Sequence, residues 1–289
     1  MKVSGFTFIR NAVLLDYPIV AAIQSILPLC DEIVVAVGNS TDDTLALIQN
    51  IDPKVRIIQT TWDDTLRENG RVLAVETDKA LAAINPEADW AIYIQGDEVM
   101  HQDDHPHILK AMTRFQHDQD VDGLLFDYLH FYGSYDYIGV SNNWYKKEIR
   151  VVKPGRGIFS FRDAQGFRKT PDQKLKVAPA NARVFHYGWV KDPQAMQRKQ
   201  ESFHKLWHDD AWLEKNIKVA TAFDYEDHIH ELARFEGTHP QWITERIVER
   251  NWTFQTDISR NKKSFKNKIK DLLKAIGIDT HYANYTLIR

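Results

Sequence analysis

Short apolar segments alternate with amphipathic ones through the N-terminal third of the chain. The apolar segments are rich in β-branched and aromatic side chains, which is typical of buried strands, and the segments between them repeat apolar residues at helical spacing. The predicted strands are residues 3–9, 32–37, 54–59 and 90–94, and the predicted helices are residues 18–29, 44–49 and 70–84. This alternation predicts an α/β fold whose doubly wound, mostly parallel sheet carries its ligand at the carboxyl ends of the strands.

The pattern changes beyond residue 193, where charged helical segments replace the alternation. Residues 199–217, 228–235 and 242–250 have helical spacing, so we expect a ligand-binding domain over residues 1–192 and a helical C-terminal region over residues 193–289. Within that region, residues 261–276 join lysines to an apolar stripe. Such a helix suits the surface of an anionic membrane, although the same pattern is also typical of a helix that packs its apolar side on the protein.

Composition and charge exclude several classes of protein. The chain has 289 residues, is 43% apolar and carries a formal net charge of −3, so it can bury a large core and lacks the basic excess of a nucleic-acid binder. Cys30 is the only cysteine, which excludes an internal disulfide and a cysteine-based zinc site. The first residues lack the apolar region of a signal peptide, and no apolar run is long enough to span a bilayer. We therefore expect a cytoplasmic protein, peripheral at the inner face of the membrane if residues 261–276 bind lipid.

Polar residues concentrate after two of the predicted strands. The first loop reads G-N-S-T-D-D-T over residues 38–44, and the stretch 94–107 reads I-Q-G-D-E-V-M-H-Q-D-D-H-P-H. In the second loop Gly96 permits close backbone approach, and Asp97 offers a hard oxygen ligand for Mg²⁺ or Mn²⁺. The two loops together fit a nucleotide diphosphate, although an acidic pair such as Asp97-Glu98 is also typical of a helix cap or a plain surface.

The rest of that stretch holds five further side chains that could ligate a metal. They are His101, Asp103, Asp104, His105 and His107. Asp103 and Asp104 are placed to cap a helix over residues 108–115, and Pro106 suits its first turn. We therefore expect a solvated helix entry, with an adventitious or regulatory metal site as the alternative.

Five segments, in this order, carry a resemblance to a known family. They are F-I-R-N-A, V-V-A-V-G-N-S-T-D-D-T, W-A-I-Y-I-Q-G-D-E-V, F-H-Y-G-W-V and T-H-P-Q-W-I. The first four span residues 3–190, and with them the chain resembles bacterial family 2 glycosyltransferases of the GT-A fold. The resemblance implies a GT-A domain with a helical C-terminal appendage. It also implies a metal-dependent, inverting transfer, of the hexosyltransferase type, from a nucleotide sugar to a glycan or lipid-linked acceptor in cell-surface polysaccharide synthesis.

In this family an Asp-x-Asp motif holds a divalent cation, Mn²⁺ or Mg²⁺, that grips the diphosphate of the donor. Gln95 stands at the first Asp position here, so the resemblance assigns the carboxylate role to Asp97 and a second ligand role to His186 of the F-H-Y-G-W-V segment. A hydrogen-bonded core histidine is the alternative for His186. The aspartate that contacts the nucleobase in many relatives is absent from residues 37–39, so a UDP-type donor is only a default.

The strand ends and the resemblance together define a candidate donor site. Arg10 and Asn11 follow the first strand, and Arg71 begins a helix whose N-terminus could also face phosphate. The complete set is Arg10, Asn11, Gly38, Ser40, Asp42, Arg71, Gln95, Gly96 and Asp97. Solvated surface charge is the alternative for the arginines, and capping of the following helix is the alternative for Ser40 and Asp42.

An inverting transfer needs a carboxylate that takes the proton from the acceptor hydroxyl. The candidates between the metal motif and His186 are Asp127, Asp136, Glu148, Asp163 and Asp172. We favour Asp163, in F-R-D-A-Q-G-F-R, because relatives place the acceptor near this segment. A surface turn stabilised by Arg162 and Asp163 is the alternative.

Aromatic residues are dense between residues 122 and 152. Trp144 and Tyr145 are candidate acceptor contacts because aromatic rings stack on sugar faces, although sheet packing explains the same residues. Two other functions stay open at this point. A sugar nucleotidyltransferase would share the α/β site, but the chain lacks a glycine-rich basic loop after the first strand. A non-catalytic module that binds glycans or partners would explain Gln95 and the missing base-contacting aspartate.

Overall fold

The computed structural model describes residues 1–208, 210–216, 220–226, 231–260 and 283–288. Its N-terminal part alternates strands and helices, as the hydrophobic pattern predicts. The elements are β1 (Val3–Ile9), α1 (Ile19–Ile26), β2 (Glu32–Val37), α2 (Thr44–Gln49), β3 (Val55–Gln59), α3 (Arg71–Ala82) and β4 (Trp90–Tyr93). The bounds of β1, β2 and α2 equal the predicted ones, and the other four elements lie within their predicted segments.

The chain then adds a second group of strands and several helices. They are β5 (Glu98–Met100), α4 (His105–Phe115), β6 (Gly123–Tyr132), β7 (Ser134–Gly139), β8 (Lys147–Val152), β9 (Ile158–Phe161), β10 (Gly166–Lys169), β11 (Gln173–Trp189), α5 (Pro193–His204), α6 (Asp210–Asn216), β12 (Leu232–Arg234), α7 (Thr244–Val248) and β13 (Tyr285–Leu287). The order along the sheet is β3-β2-β1-β4-β8-β6-β11-β10-β9.

The central sheet combines a parallel half with a mixed half. Strands β3, β2, β1 and β4 are mutually parallel, β8 is antiparallel to both β4 and β6, and β6 is parallel to β11. Four parallel strands separated by three helices confirm the predicted α/β fold with a largely parallel central sheet. The carboxyl ends of β1, β2 and β4 therefore meet at one edge, where the two polar loops were expected.

Two apolar cores cover the faces of the sheet. Ile33, Val35 and Val37 of β2 face the core that contains α1 and α4, whereas Val34 and Ala36 face the core that contains α3. Because successive side chains of a strand point to opposite faces, a strand that is covered on both sides must be apolar throughout. This explains why β2 is apolar from Ile33 to Val37.

The C-terminal region differs in part from its predicted helices. Within the helix predicted over residues 199–217, the described residues include the end of α5, at His204, and a separate α6. Helix α7 lies within the predicted helix at 242–250. The helical prediction for residues 228–235 is wrong at β12, because Leu232, Ala233 and Arg234 pair with the edge strand β7. The unpaired backbone groups of that edge outweigh a weak helical pattern. A domain boundary after residue 192 stays a prediction.

The predicted solvated helix entry at residues 101–107 is only partly correct. Asp103 and His107 are exposed, but His101 is buried and shares a 3.1 Å hydrogen bond with the Thr238 hydroxyl. Asp104 is also buried; it does not cap α4 with its side chain but forms an ion pair with Arg183 at 3.1 Å. Packing of α4 against β11 therefore turns these polar groups inward.

Two predictions concern the membrane. The basic amphipathic segment 261–276 lies outside the described residues. Within the part of the chain that the structure covers, no helix is both long enough and apolar enough to cross a bilayer.

Candidate functional site

The loops after β1 and β2 are tied to each other at the carboxyl edge of the sheet. The Asn11 N–H donates to the Ser40 hydroxyl at 3.0 Å, and the Thr41 N–H donates to the Asn11 side-chain carbonyl at 2.8 Å. Asp42 accepts from the Leu14 N–H at 2.7 Å. The structure therefore brings Asn11, Ser40 and Asp42 together as predicted, and each uses polar atoms to hold the two loops in place.

Arg10 and Gly38 lie beside a tryptophan that the sequence analysis did not select. The Arg10 guanidinium stacks over the Trp62 ring at 4.3 Å from its centroid and pairs with Asp64 at 2.8 Å. A Cβ atom on Gly38 would lie 2.3 Å from Trp62 Nε1, so only glycine lets the ring pack this closely. Trp62 Nε1 is buried and has no hydrogen-bond partner among the described residues. The Trp62 ring therefore packs between the end of β2 and the Arg10 guanidinium.

Asp97 and His186 meet because β5 pairs with β11. In that antiparallel pairing His186 lies opposite Glu98, and the Tyr187 N–H donates to the Asp97 carbonyl at 2.8 Å. His186 Nε2 is then 3.8 Å from Asp97 Oδ1. A Cβ atom on Gly188 would lie 2.7 Å from both side chains, so this glycine makes room for their contact. The structure thus brings together the two residues to which the resemblance assigns the role of metal ligands.

A lysine that the sequence did not point to contacts the same carboxylate. Lys199 Nζ in α5 donates to Asp97 Oδ2 at 3.0 Å and to the Gly188 carbonyl at 2.8 Å. Burial alone would raise the pKa of Asp97, but the Lys199 ammonium, which is hydrogen-bonded to this carboxylate, outweighs burial and holds the pKa well below its ordinary value. Asp97 is therefore ionised across the physiological pH range.

The orientation of His186 is set by a second histidine, His130 of β6. His130 Nε2 is 2.8 Å from the Tyr145 carbonyl, and its Nδ1 is 3.2 Å from His186 Nδ1. Burial lowers the pKa of both imidazoles, which favours their neutral forms. Because a carbonyl only accepts, His130 carries its proton on Nε2 and accepts from His186 Nδ1–H. This leaves a lone pair on His186 Nε2, directed toward Asp97.

These two side chains fit a divalent cation whose remaining ligands come from a bound molecule. Asp97 Oδ1 and the lone pair of His186 Nε2 converge, and Mg²⁺ or Mn²⁺ is often held by one or two protein ligands plus phosphate oxygens and water. Gln95 instead directs its amide nitrogen to the Ala164 carbonyl at 2.9 Å. Among the described residues, no group of three or more His, Cys, Asp or Glu side chains could hold a metal without such a molecule.

Glu98, next to Asp97, has a structural role. Its carboxylate accepts two hydrogen bonds from Arg150, at 2.7 and 2.8 Å, and both side chains are fully buried. The Tyr128 hydroxyl adds a third bond at 2.7 Å, and the Gln95 N–H donates a fourth at 3.1 Å. A buried, bidentate pair of this kind fixes the turn that presents Asp97 to the sheet edge.

Asp163 lies in the turn between β9 and β10, beside the Asp97 loop. The neighbouring Ala164 carbonyl accepts from Gln95, and a Cβ atom on Gly70 would lie 2.8 Å from Asp163 Cβ. Burial raises the pKa of Asp163, which makes its carboxylate a stronger base than an exposed one. The structure therefore places the turn that carries Asp163 against the Gln95 side chain, and the role of Asp163 as a base stays a prediction.

The other predicted bases are engaged elsewhere or buried. Asp127 pairs with Lys147, and Asp136 pairs with Arg250 at 3.1 Å. Asp172 is exposed and lies 3.9 Å from Arg168, whereas Glu148 is only 3% exposed.

Arg71 and the predicted acceptor residues have different surroundings. Arg71 begins α3 but lines a cavity of about 480 Å³ with Asp78 and Arg162, and residues 95–97 do not line that cavity. Trp144 and Tyr145 are half-buried and pack on His130, with ring centroids 5.0 and 4.4 Å from the imidazole. The two aromatic residues therefore adjoin the histidine pair, whereas Arg71 faces a different part of the surface.

Sequence reasoning missed three residues of this edge. Trp62 lies three residues after the end of β3, so its place beyond the carboxyl end of a strand was an available indication. His130 lies in an aromatic strand, and Lys199 lies in a charged helix. From the sequence, His130 is typical of a side chain that packs in a sheet, and Lys199 is typical of a solvated charge on a helix.

The sheet order defines an α/β protein whose candidate site lies at the polar carboxyl edge of its parallel strands. No family model matches the chain, and no curated protein matches it. Solved structures that are similar include glucosyl-3-phosphoglycerate synthase from Mycobacterium tuberculosis in complex with Mn²⁺, UDP and glucosyl-3-phosphoglycerate. The identity is 19% and the TM-score 0.31, over 46% of this chain and 45% of the synthase.

Staphylococcus aureus TarS is also similar. TarS 1–349 in complex with UDP is 14% identical with a TM-score of 0.39, over 76% of this chain and 68% of that structure. In another TarS crystal structure the match covers 41% of the TarS chain. The chain therefore spans less than half of the synthase and of this longer TarS chain. The fold assignment rests on the sheet order of the chain itself.

Proposed function

We propose that the protein is a glycosyltransferase that uses a nucleotide-sugar donor. The observation that carries this proposal is the convergence of Asp97, His186 and Lys199 at the carboxyl edge of the parallel strands. A carboxylate, a neutral imidazole and an ammonium can together hold a cation and a diphosphate. The loops after β1 and β2 and the ring of Trp62 lie along the same edge and suit the nucleoside.

Within this proposal the residues around Asp97 bind the leaving group. Asp97 Oδ1 and His186 Nε2 would hold Mn²⁺ or Mg²⁺, which when bound supplies positive charge to the departing diphosphate. Asn11, Gly38 and Ser40 would line the nucleoside. Two of the similar crystal structures contain UDP. UDP-sugars are therefore the first donors to test, in agreement with the default from the resemblance.

Asp163 is proposed as the base of an inverting transfer. Its carboxylate would take the proton of the acceptor hydroxyl as that oxygen bonds to the anomeric carbon and the bond from this carbon to the diphosphate oxygen breaks. Trp144 and Tyr145, which pack beside the histidine pair, would contact the acceptor. A hexosyl donor, a glycan or lipid-linked acceptor and a role in cell-surface polysaccharide synthesis come from the resemblance and complete the proposal.

A donor-cleavage assay tests this function directly. Purified protein with Mn²⁺ and UDP-, GDP-, CMP- and dTDP-sugars should release one nucleotide product, faster when an acceptor extract is present. Asp97→Asn should abolish the release while the protein stays folded, and Asp103→Asn, an exposed acid in the same stretch, should leave it unchanged. Release of pyrophosphate would identify a nucleotidyltransferase instead. If no donor is cleaved, the transferase proposal fails and a binding module becomes the better explanation.

A further inference from the structure

A cavity of about 480 Å³ lies between helix α3 and strand β9. The α3 residues that line it are spaced i, i+3, i+4 and i+7, which places them on one face of the helix; they are Arg71, Ala74, Val75 and Asp78. Residues 159–162, from β9 and the turn that follows it, form the other wall. The volume lies within the range of sites that bind small molecules.

Two contacts fix how these walls run past each other. At one end the Asp78 carboxylate accepts from the Ser160 N–H at 2.7 Å. At the other end Gly70 and Asp163 are in contact, because a Cβ atom on Gly70 would lie 2.8 Å from Asp163 Cβ. The cavity therefore runs from Asp78 to the turn that carries Asp163.

Polar groups at both ends of the cavity lack partners. Arg71, next to Gly70, is exposed and makes no hydrogen bond or ion pair through its side chain to another described residue. Asp78 accepts from Ser160, but no cation pairs with it among the described residues, and burial raises the pKa of Asp78 to about 6. The Ser160 hydroxyl is buried and has no hydrogen-bond partner in the described part of the chain.

The charges that line the cavity are balanced. Arg71 and Arg162 supply two guanidinium groups, and Glu68 and Asp78 supply two carboxylates. An anion would meet both carboxylates and a cation would meet both guanidinium groups, so neither kind of ligand is favoured by charge. A guanidinium only donates hydrogen bonds and a carboxylate only accepts them, whereas a hydroxyl does both. A neutral ligand with several hydroxyl groups can therefore pair with every one of these side chains.

We propose that this cavity binds a neutral sugar ring of the acceptor. A sugar has hydroxyl groups around its rim and apolar C–H groups on its faces, and such faces pack on aromatic rings. Phe159 and Phe161, both half-buried, line the cavity and provide these rings. The charged groups at the two ends then bind the hydroxyls through charge-assisted hydrogen bonds.

The position of the cavity suits an acceptor rather than a donor. In the turn after β9, Arg162 lines the cavity, whereas the Ala164 carbonyl accepts from Gln95. Asp163, the proposed base, therefore lies between the cavity and the Gln95 loop along this turn. The inference rests on the proposed function, because the bound sugar is an acceptor only if the protein is a transferase. It gives Arg71 a role in acceptor binding instead of donor binding.

NMR titration tests this site without donor or metal. The ligands are the methyl glycosides of glucose, galactose, mannose and N-acetylglucosamine, with methyl glucuronide as a charged comparison. At least one neutral glycoside should bind the unaltered protein with a Kd of about 1 mM, as expected for a ligand of this size.

Three variants alter the cavity in different ways. Asp78→Asn keeps an acceptor for the Ser160 N–H, and Arg71→Met keeps the stem of an exposed side chain, so both should fold. Each should weaken glycoside binding about tenfold or more, because a charge-assisted hydrogen bond is lost. Val75→Phe adds volume to the half-buried wall without removing a polar group, and it should weaken binding as well.

Asp103→Asn and Arg114→Met are the matched controls. Both side chains are exposed and neither lines the cavity, so these variants should bind the glycoside as the unaltered protein does. The glycoside should raise the melting temperature of the controls but not that of the cavity variants. The inference is overturned if no neutral glycoside binds at up to about 50 mM, if the cavity variants bind as the controls do, or if only methyl glucuronide binds.

These results can be told apart from failure of the transferase proposal. Glycoside binding that depends on Arg71 and Asp78, together with no cleavage of any sugar nucleotide, would support a sugar site and refute the transferase. Donor cleavage that no glycoside accelerates and that both substitutions leave unchanged would support the transferase and refute the acceptor role of the cavity.

Discussion

Replacing Glu148 by glutamine should stabilise the protein at neutral and higher pH. The Glu148 side chain accepts from the Gln165 amide at 2.6 Å, but its other oxygen, Oε2, is buried without a hydrogen-bond partner among the described residues. Burial raises the pKa of Glu148 from 4.5 to about 7, against the lowering effect of Arg150 and Gln165. The folded protein therefore disfavours the ionised carboxylate, which glutamine replaces with a neutral group of the same shape.

The sign and size of the effect follow from the two pKa values. A carboxyl whose pKa is raised by folding contributes stability below its unfolded value of 4.5 and loses it as pH rises to about 7. The difference between 4.5 and about 7 corresponds to about 3 kcal/mol at 25 °C. Glu148→Gln should therefore gain stability relative to the unaltered protein across this window, by up to about 3 kcal/mol above pH 7 and by little near pH 4.5.

Urea unfolding between pH 4.5 and pH 8.5 measures this difference. The free energy of unfolding of Glu148→Gln, minus that of the unaltered protein, should rise with pH and level off above about pH 7. Glu236→Gln, an exposed glutamate, is the matched control and should show no such rise. The reasoning is refuted if the Glu148→Gln difference is flat with pH or if the variant is less stable at pH 8.

Three further substitutions test the site and its support. Gly188→Ala places a Cβ atom 2.7 Å from the Asp97 carboxylate, so Mn²⁺-supported UDP binding should weaken by at least about tenfold in calorimetry; unchanged affinity would contradict the proposed contact. Glu98→Gln leaves Arg150 as a buried unpaired charge and should cost about 3–5 kcal/mol in urea unfolding, whereas a loss under about 1 kcal/mol would refute a structural role. His130→Phe removes the acceptor that orients the imidazole facing Asp97, so Mn²⁺ affinity in the presence of UDP should fall by about 10-fold to 100-fold in electron paramagnetic resonance titrations. Equal affinity would show that this acceptor is not needed.

The sequence by itself determined the elements of the N-terminal half and the edge where the site lies. Strand and helix formation there depends on local periodicity, so the alternating pattern is sufficient for β1, β2 and α2. Parallel strands separated by helices place their carboxyl ends together, and this brought the Asn11, Ser40 and Asp97 loops to one edge. The helical prediction near β12 was wrong, because pairing with an exposed strand edge is not a local property of the sequence.

The tertiary structure alone decided how the polar groups of the site pair. Asp97 and Glu98 are adjacent acids in the sequence, yet one lies at the site and the other forms a buried pair with Arg150. The lysine on Asp97 is 102 residues away along the chain, and His130 and His186 are 56 residues apart. Contacts of this kind depend on strand register and helix docking, and burial then decides which charges are compensated. Residue type and spacing do not predict which buried charges are compensated, because this depends on the groups that the fold brings into contact with each lysine or histidine.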